Sequence, residues 1–124
     1  MLDQPRAAAK PVILVLDDDS AVRNSLKFLL QIEGFDVRSY ASSSELLNDP
    51  DLPAFNCLVV DLHMPEMNGL DVVVKLRERK DALRAILITS HPSPSIRERA
   101  AALGVPIVLK PFRERELVER ICAS

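Results

Sequence analysis

Three consecutive aspartates, Asp17, Asp18 and Asp19, follow directly on the apolar run Val12-Ile13-Leu14-Val15-Leu16. Like charges crowded at the mouth of a core element repel one another, so a cation or a set of donors is needed opposite them. Further along, Asp61 follows a second apolar run, Thr89 and Ser90 close a third, and Lys110 follows a fourth. Oxygen-only ligands select a hard ion such as Mg²⁺. An isolated carboxylate, a hydroxyl and an ammonium are the groups with which a phosphoryl group is accepted and held. Taken singly, each residue has a plainer reading: Asp19 or Ser20 caps a helix, Asp61 opens the turn into Met64-Pro65, and Lys110 pairs with any nearby carboxylate. The chemical reading requires a fold that gathers them at one place.

The pattern of the chain supplies such a fold. Strands are expected at 12–16, 35–40, 56–60, 85–89 and 105–109; four of the five are nearly continuous Val, Ile and Leu, as in a parallel sheet covered on both faces. Between and after them, apolar residues at helical spacing predict helices over 20–33, 43–48, 70–79, 94–103 and 113–122. Gly34 and Gly104 sit where a left-handed residue ends a helix, and Ser42-Ser43-Ser44-Glu45 and Ser95-Ile96-Arg97-Glu98 have capping-box spacing. Alternation of this length implies right-handed crossovers and an α/β, flavodoxin-like doubly wound sheet in the order 2-1-3-4-5. The last strand is then an edge, which tolerates Pro106. Ligands of such sheets bind beyond the carboxyl ends of the strands, where all the residues named above converge.

Composition narrows the function classes. A chain of 124 residues holds one domain, with residues 1–11 read as an N-terminal extension and 12–124 as the domain. A net charge of −2 offers no footprint for direct nucleic-acid binding. No apolar run approaches a membrane span, and MLDQPRAAAK lacks a secretory h-region, so a cytoplasmic protein is expected. Cys57 and Cys122 have no metal-type spacing and read as structural thiols. The charge runs at 77–80, 97–99 and 113–116 read as solvated helix surface.

At this point the sequence resembles a known family. Asp17-Asp18, Asp61-x-x-Met64-Pro65-x-Met67-x-Gly69, Thr89 and Lys110-Pro111-Phe112 together look like the receiver domain of two-component response regulators, over about residues 12–122. The resemblance implies that Asp61 accepts a phosphoryl group from a histidine kinase or histidine phosphotransfer protein. It implies that Asp18, Asp61 and the backbone carbonyl of His63 bind Mg²⁺ directly, with Asp17 acting through a water. Thr89 and Lys110 would then bind phosphoryl oxygens, and the Lys110–Pro111 bond would be cis. Signalling would leave by the surface of the fourth helix, fifth strand and fifth helix, toward an output partner, a fused effector domain or a phosphorylation-dependent dimer. His63 and His91 would flank the path of the hydrolytic water and modulate the lifetime of the phosphorylated form. One position departs from the family: where a Tyr or Phe often turns inward on activation, this chain has Ile107, so a ring-rotamer switch cannot operate. The alternative is a haloacid-dehalogenase-type phosphatase with Asp17 as nucleophile, to which Asp17-Asp18-Asp19-Ser20-Ala21 bears a loose likeness.

Overall fold

The computed structural model describes residues 10–79 and 83–123. Strands and helices alternate along the chain: β1 (Val12–Leu16), α1 (Ser20–Ile32), β2 (Asp36–Tyr40), α2 (Ser43–Leu47) and β3 (Cys57–Asp61), then α3 (Gly69–Arg77), β4 (Ala85–Thr89), α4 (Pro94–Leu103), β5 (Ile107–Leu109) and α5 (Glu114–Cys122). The five strands form one parallel sheet in the order β2-β1-β3-β4-β5, as expected.

The two-residue period of a strand sends alternate side chains to opposite faces, and each face has its own core. Ile13, Val15, Cys57, Val59, Ile86 and Ile88 pack with Leu26 and Leu30 of α1 and Leu117 and Ile121 of α5. Leu14, Leu16, Leu58, Val60 and Leu87 pack on the other face with Leu46 of α2, Leu70, Val73 and Leu76 of α3, and Ala100 of α4. Each fully buried aliphatic side chain is worth about 1.5–3 kcal/mol of transfer free energy. The two-sided burial explains why β1, β3 and β4 read as unbroken apolar runs. The edge strand β2 is mixed instead, with Asp36 and Arg38 exposed and Val37 and Tyr40 buried.

Differences from expectation lie at element ends, and each has a local cause. Asp61 is the last residue of β3, paired with Ile88, and does not follow the strand. Asn56 lies just before β3 but still closes the ladder, since its Oδ1 accepts the Val12 N–H at 2.8 Å. β5 begins at Ile107, after Pro106, although the Pro106 carbonyl still accepts from the Leu87 N–H at 2.9 Å. The α4 cap is Ser93, whose Oγ accepts from the Ile96 N–H at 3.2 Å, and not the Ser95 pattern. Pro94 at the first helical position fixes that start, because its missing N–H is one the helix would leave unpaired. The Ser42–Glu45 pattern does cap α2, and Gly104 is left-handed with φ of 68°. Lys80 and residues 1–9 of the expected extension lie outside the described residues.

Candidate functional site

The carboxyl ends of β1, β3, β4 and β5 bring together Asp17, Asp61, Thr89 and Lys110, and three of the four are buried: Asp17 1% exposed, Thr89 1% and Asp61 7%. Asp17 directly follows β1 and is held at several atoms. Its N–H donates to the Tyr40 carbonyl at 3.2 Å. Its carbonyl accepts from Arg23 Nη1 at 2.8 Å, and its Oδ1 accepts from the Asp19 N–H at 2.9 Å. The remaining oxygen, Oδ2, is buried and has no hydrogen-bond partner; the nearest cation, Lys110 Nζ, stands 3.7 Å away. Burial pushes the Asp17 carboxyl above its usual range, and the charges of Asp61 and Asp18 push the same way against the Asp19 N–H and Lys110.

Asp61 has its two oxygens in distinct environments. Oδ1 accepts from the backbone N–H of His63 at 3.1 Å, and Oδ2 accepts from Lys110 Nζ at 3.1 Å. Ligand oxygens of Asp17, Asp18 and Asp61 all lie within 4.8 Å of one another, with Asp18 on the exposed side. Asp19 is the residue that turns away: its carboxylate caps α1 through the Ala21 and Val22 N–H groups. The triple aspartate therefore divides into two residues for the site and one for the helix.

The frame around Asp61 is tight. Gly69, at the start of α3, has its N–H on the Leu62 carbonyl at 3.0 Å. A Cβ on Gly69 would sit 2.5 Å from the Asp61 backbone carbonyl, so only glycine fits where the helix approaches the strand. Ser43 Oγ donates to the Met67 carbonyl at 3.2 Å, and the Glu66 carboxylate accepts from Ser44 Oγ at 2.9 Å, tying the loop after Asp61 to the start of α2. Thr89 is one residue past the partner of Asp61 in the β3–β4 register, and its Oγ1 is buried without a hydrogen bond. Its carbonyl accepts from the Lys110 N–H at 2.9 Å, which sets the origin of the lysine side chain. The Lys110–Pro111 bond is cis, as expected.

Of the residues singled out in the sequence, Lys110 stands within ion-pairing range of Asp17 and Asp61, and ligand oxygens of Asp17, Asp18 and Asp61 lie within 4.8 Å of one another. His63 and His91 are exposed on the rim, and Ile107 is half-buried, packed beside the core and paired with Leu87. Arg23, Ser43 and Glu66 were not legible. A basic residue one turn into a helix, or a serine and a glutamate more than twenty positions apart, carries no spacing signal.

Beside Lys110 runs a groove of about 590 Å³ between α1 and the β5–α5 loop, lined by Val22, Leu26, Leu29, Pro111 and Phe112 among others. At 3.6 residues per turn, Ala21, Ser25, Phe28 and Ile32 share one face of α1 next to it. Phe28 and Ile32 are 67% and 64% exposed, the most exposed large apolar side chains among the described residues.

The family model described as the response regulator receiver domain matches residues 13–122. Response regulator protein TodT of Pseudomonas putida is 40% identical over 114 residues, covering 91% of this chain and 50% of that protein. Transcriptional regulatory protein FixJ of Bradyrhizobium diazoefficiens is 31% identical over 110 residues, covering 88% of this chain and 54% of that protein. Among solved structures, the Vibrio cholerae chemotaxis protein CheY4 superposes with a TM-score of 0.84 at 25% identity, covering 91% of this chain and 97% of that one. The chain belongs to the response regulator receiver family. It spans about half the length of the curated relatives it matches. The phosphatase alternative is not favoured: besides the family match, the lysine stands closer to Asp61 than to Asp17, at 3.1 against 3.7 Å.

Proposed function

We propose that Asp61 is the phosphoryl acceptor of a two-component phosphorelay, and that Mg²⁺ is required, bound directly by Asp18, Asp61 and the His63 carbonyl and through a water by Asp17. The observation that carries this is the buried Asp61 carboxylate, fixed at Oδ1 by the His63 N–H and faced at Oδ2 by Lys110, beside two further carboxylates. The residues suit a hard divalent cation: the donors are all oxygen, and Asp17 Oδ2 is buried with no hydrogen bond. When bound, Mg²⁺ supplies charge that offsets the clustered carboxylates and the incoming phosphoryl group.

The chain's own residues do the rest. An Asp61 oxygen attacks the phosphorus of a phosphohistidine; the O–P bond forms, the P–N bond breaks, and the electron pair leaves with the imidazole. The Lys110 ammonium moves from the Asp61 carboxylate to a phosphoryl oxygen, and the unpaired Thr89 hydroxyl donates to another. Both act on charge that arrives with the phosphoryl group, which is where fixed donors stabilise most. The donor is a histidine kinase or histidine phosphotransfer protein, for which the apolar groove and the Phe28–Ile32 face of α1 offer a surface next to Lys110.

Residues 12–124 act as one receiver unit. Output leaves by α4, β5 and α5, toward a partner, a fused effector domain or a phosphorylation-dependent dimer, because Thr89 and Lys110 connect directly to those elements. With Ile107 in place of an aromatic ring, the response travels through Thr89 and the loop that follows it. His63 and His91 modulate the lifetime of the acyl phosphate from the rim. The reading implies a cytoplasmic protein; among the described residues no helix is long and apolar enough to cross a membrane. Acetyl phosphate with Mg²⁺, followed by mass mapping, tests the proposal. Label is expected on Asp61 alone and is lost in Asp61→Asn and in excess chelator; undiminished label in either sinks it.

A further inference from the structure

Arg23 lies one turn into α1, close in sequence to three aspartates, yet its guanidinium makes no ion pair with any carboxylate among the described residues. It donates instead to a neutral acceptor, the Asp17 carbonyl, at 2.8 Å. The local backbone explains how. Asp19 caps α1, so the Arg23 N–H is the donor that closes the first turn onto the Asp19 carbonyl, at 2.9 Å. Helical side chains lean toward the helix N-terminus, which sends the Arg23 side chain back over the end of β1. There it clasps the peptide that follows Asp17. With the N–H on Tyr40, the carbonyl on Arg23 and Oδ1 on the Asp19 N–H, one polar atom of Asp17 is left unbonded, the buried Oδ2.

We propose that Arg23 is a positioning residue for the divalent cation: by pinning the Asp17 carbonyl it fixes the β1–α1 turn so that Asp17 Oδ2 faces Asp61 and Asp18. This rests on the Mg²⁺ site proposed above. Groups that orient a metal ligand without touching the metal are commonly worth 10–100-fold in affinity. A competing role predicts the opposite sign. If Arg23 served only as a countercharge to the acidic cluster, removing it would deepen the negative potential and tighten cation binding.

The test is titration of the unphosphorylated protein with Mg²⁺, followed by amide chemical shifts, in the parent, Arg23→Lys and Arg23→Gln. Positioning predicts a dissociation constant about tenfold higher in Arg23→Gln and an intermediate value in Arg23→Lys, whose single ammonium restores one donor. Before any Mg²⁺ is added, the Asp19 amide, which reports the Asp17 Oδ1 contact, should exchange faster in Arg23→Gln than in the parent. Equal or tighter Mg²⁺ binding in Arg23→Gln overturns the positioning role while leaving the site itself intact. Failure of the parent to bind Mg²⁺ overturns the site and this inference together. Arg23→Lys, the milder change, keeps the test valid if Arg23→Gln folds poorly.

Discussion

The two ends of the central strands treat polar groups in opposite ways. At the amino end, Arg77 donates through Nε and Nη2 to the Leu83 carbonyl at 3.1 and 3.0 Å, and through Nη1 to the Leu103 carbonyl at the end of α4. Arg84 donates to the carbonyls of Arg120 and Ala123 at the end of α5. Helix carbonyls that lack an intrahelical partner are thereby satisfied by the protein itself. At the carboxyl end, Asp17 Oδ2 and Thr89 Oγ1 are buried with no hydrogen bond. An orphaned buried polar group costs about 1–3 kcal/mol, and a fold holds few of them without a use. One end is finished by folding; the other keeps two buried polar atoms that the fold itself leaves without a partner, which is what the proposed cation and phosphoryl group would supply.

Arg77→Ala would break the finished end and is expected to have the largest effect on stability. It removes three charge-assisted donors and leaves two carbonyls short, which predicts a loss of about 3 kcal/mol in urea unfolding. Phosphoryl acceptance per folded molecule should be unchanged, and a proportional loss of labelling would join two ends that the comparison separates.

Asp17→Asn tests the unfinished end with the reverse sign. Its carboxyl is held above the usual range by burial and by Asp61 and Asp18, so its contribution to stability is full below the unfolded value and is lost as pH rises through the folded one. Wherever it is ionised, the group is therefore a burden on the Mg²⁺-free fold. Asn removes that charge and should stabilise the Mg²⁺-free protein near pH 7, by less than Arg77→Ala destabilises it. Near pH 3 the difference should shrink, and Mg²⁺ binding should fall sharply at neutral pH. Urea unfolding at both pH values checks it, and a destabilised variant at neutral pH would contradict it.

Tyr40→Phe gives the smallest and most local effect, at a polar pair near Asp17 that the protein does complete. Tyr40 donates to Asp49 Oδ2 at 2.6 Å, and burial, together with the Asp49 carboxylate, pushes the phenol up to about 12. The same hydrogen bond holds Asp49 below its usual range. The raised phenol contributes stability below its unfolded value near 10, lost as pH rises toward about 12. The lowered carboxyl contributes above its unfolded value of 3.8, lost as pH falls through the folded one. Phe should therefore lower stability slightly on a plateau between these limits and less on either side. A cost independent of pH would point to packing alone.

Much of this was legible in the sequence because the cause is periodic or compositional. The runs at 12–16 and 85–89 are unbroken because both sheet faces are covered, and they match β1 and β4 to the residue. Asp17, Asp18, Asp61 and Lys110 could be named because strand ends in a doubly wound sheet share one edge. The cap of α1 was open in the sequence between Asp19 and Ser20, since both side chains can accept from a helix N–H, and Asp19 takes it. The role of Ser93 was obscured by the equally good cap spacing of Ser95 until Pro94 fixed the first turn. Arg23, Glu66 and Arg77 could not be read, because their partners are backbone carbonyls or serines chosen by tertiary proximity.

The most direct measurement of the central claim is a map of amide chemical shifts on adding Mg²⁺ and then beryllofluoride, a stand-in for the phosphoryl group. The largest changes are expected at Asp17 to Asp19, Asp61 to Met64, Thr89 to Ser90 and Lys110, with a second tier across α4, β5 and α5. The amides around Leu83 to Ala85, at the opposite end, should stay near their starting positions. A spectrum that does not respond, or one whose largest changes lie at the arginine end or are confined to α2 and α3, would contradict the account.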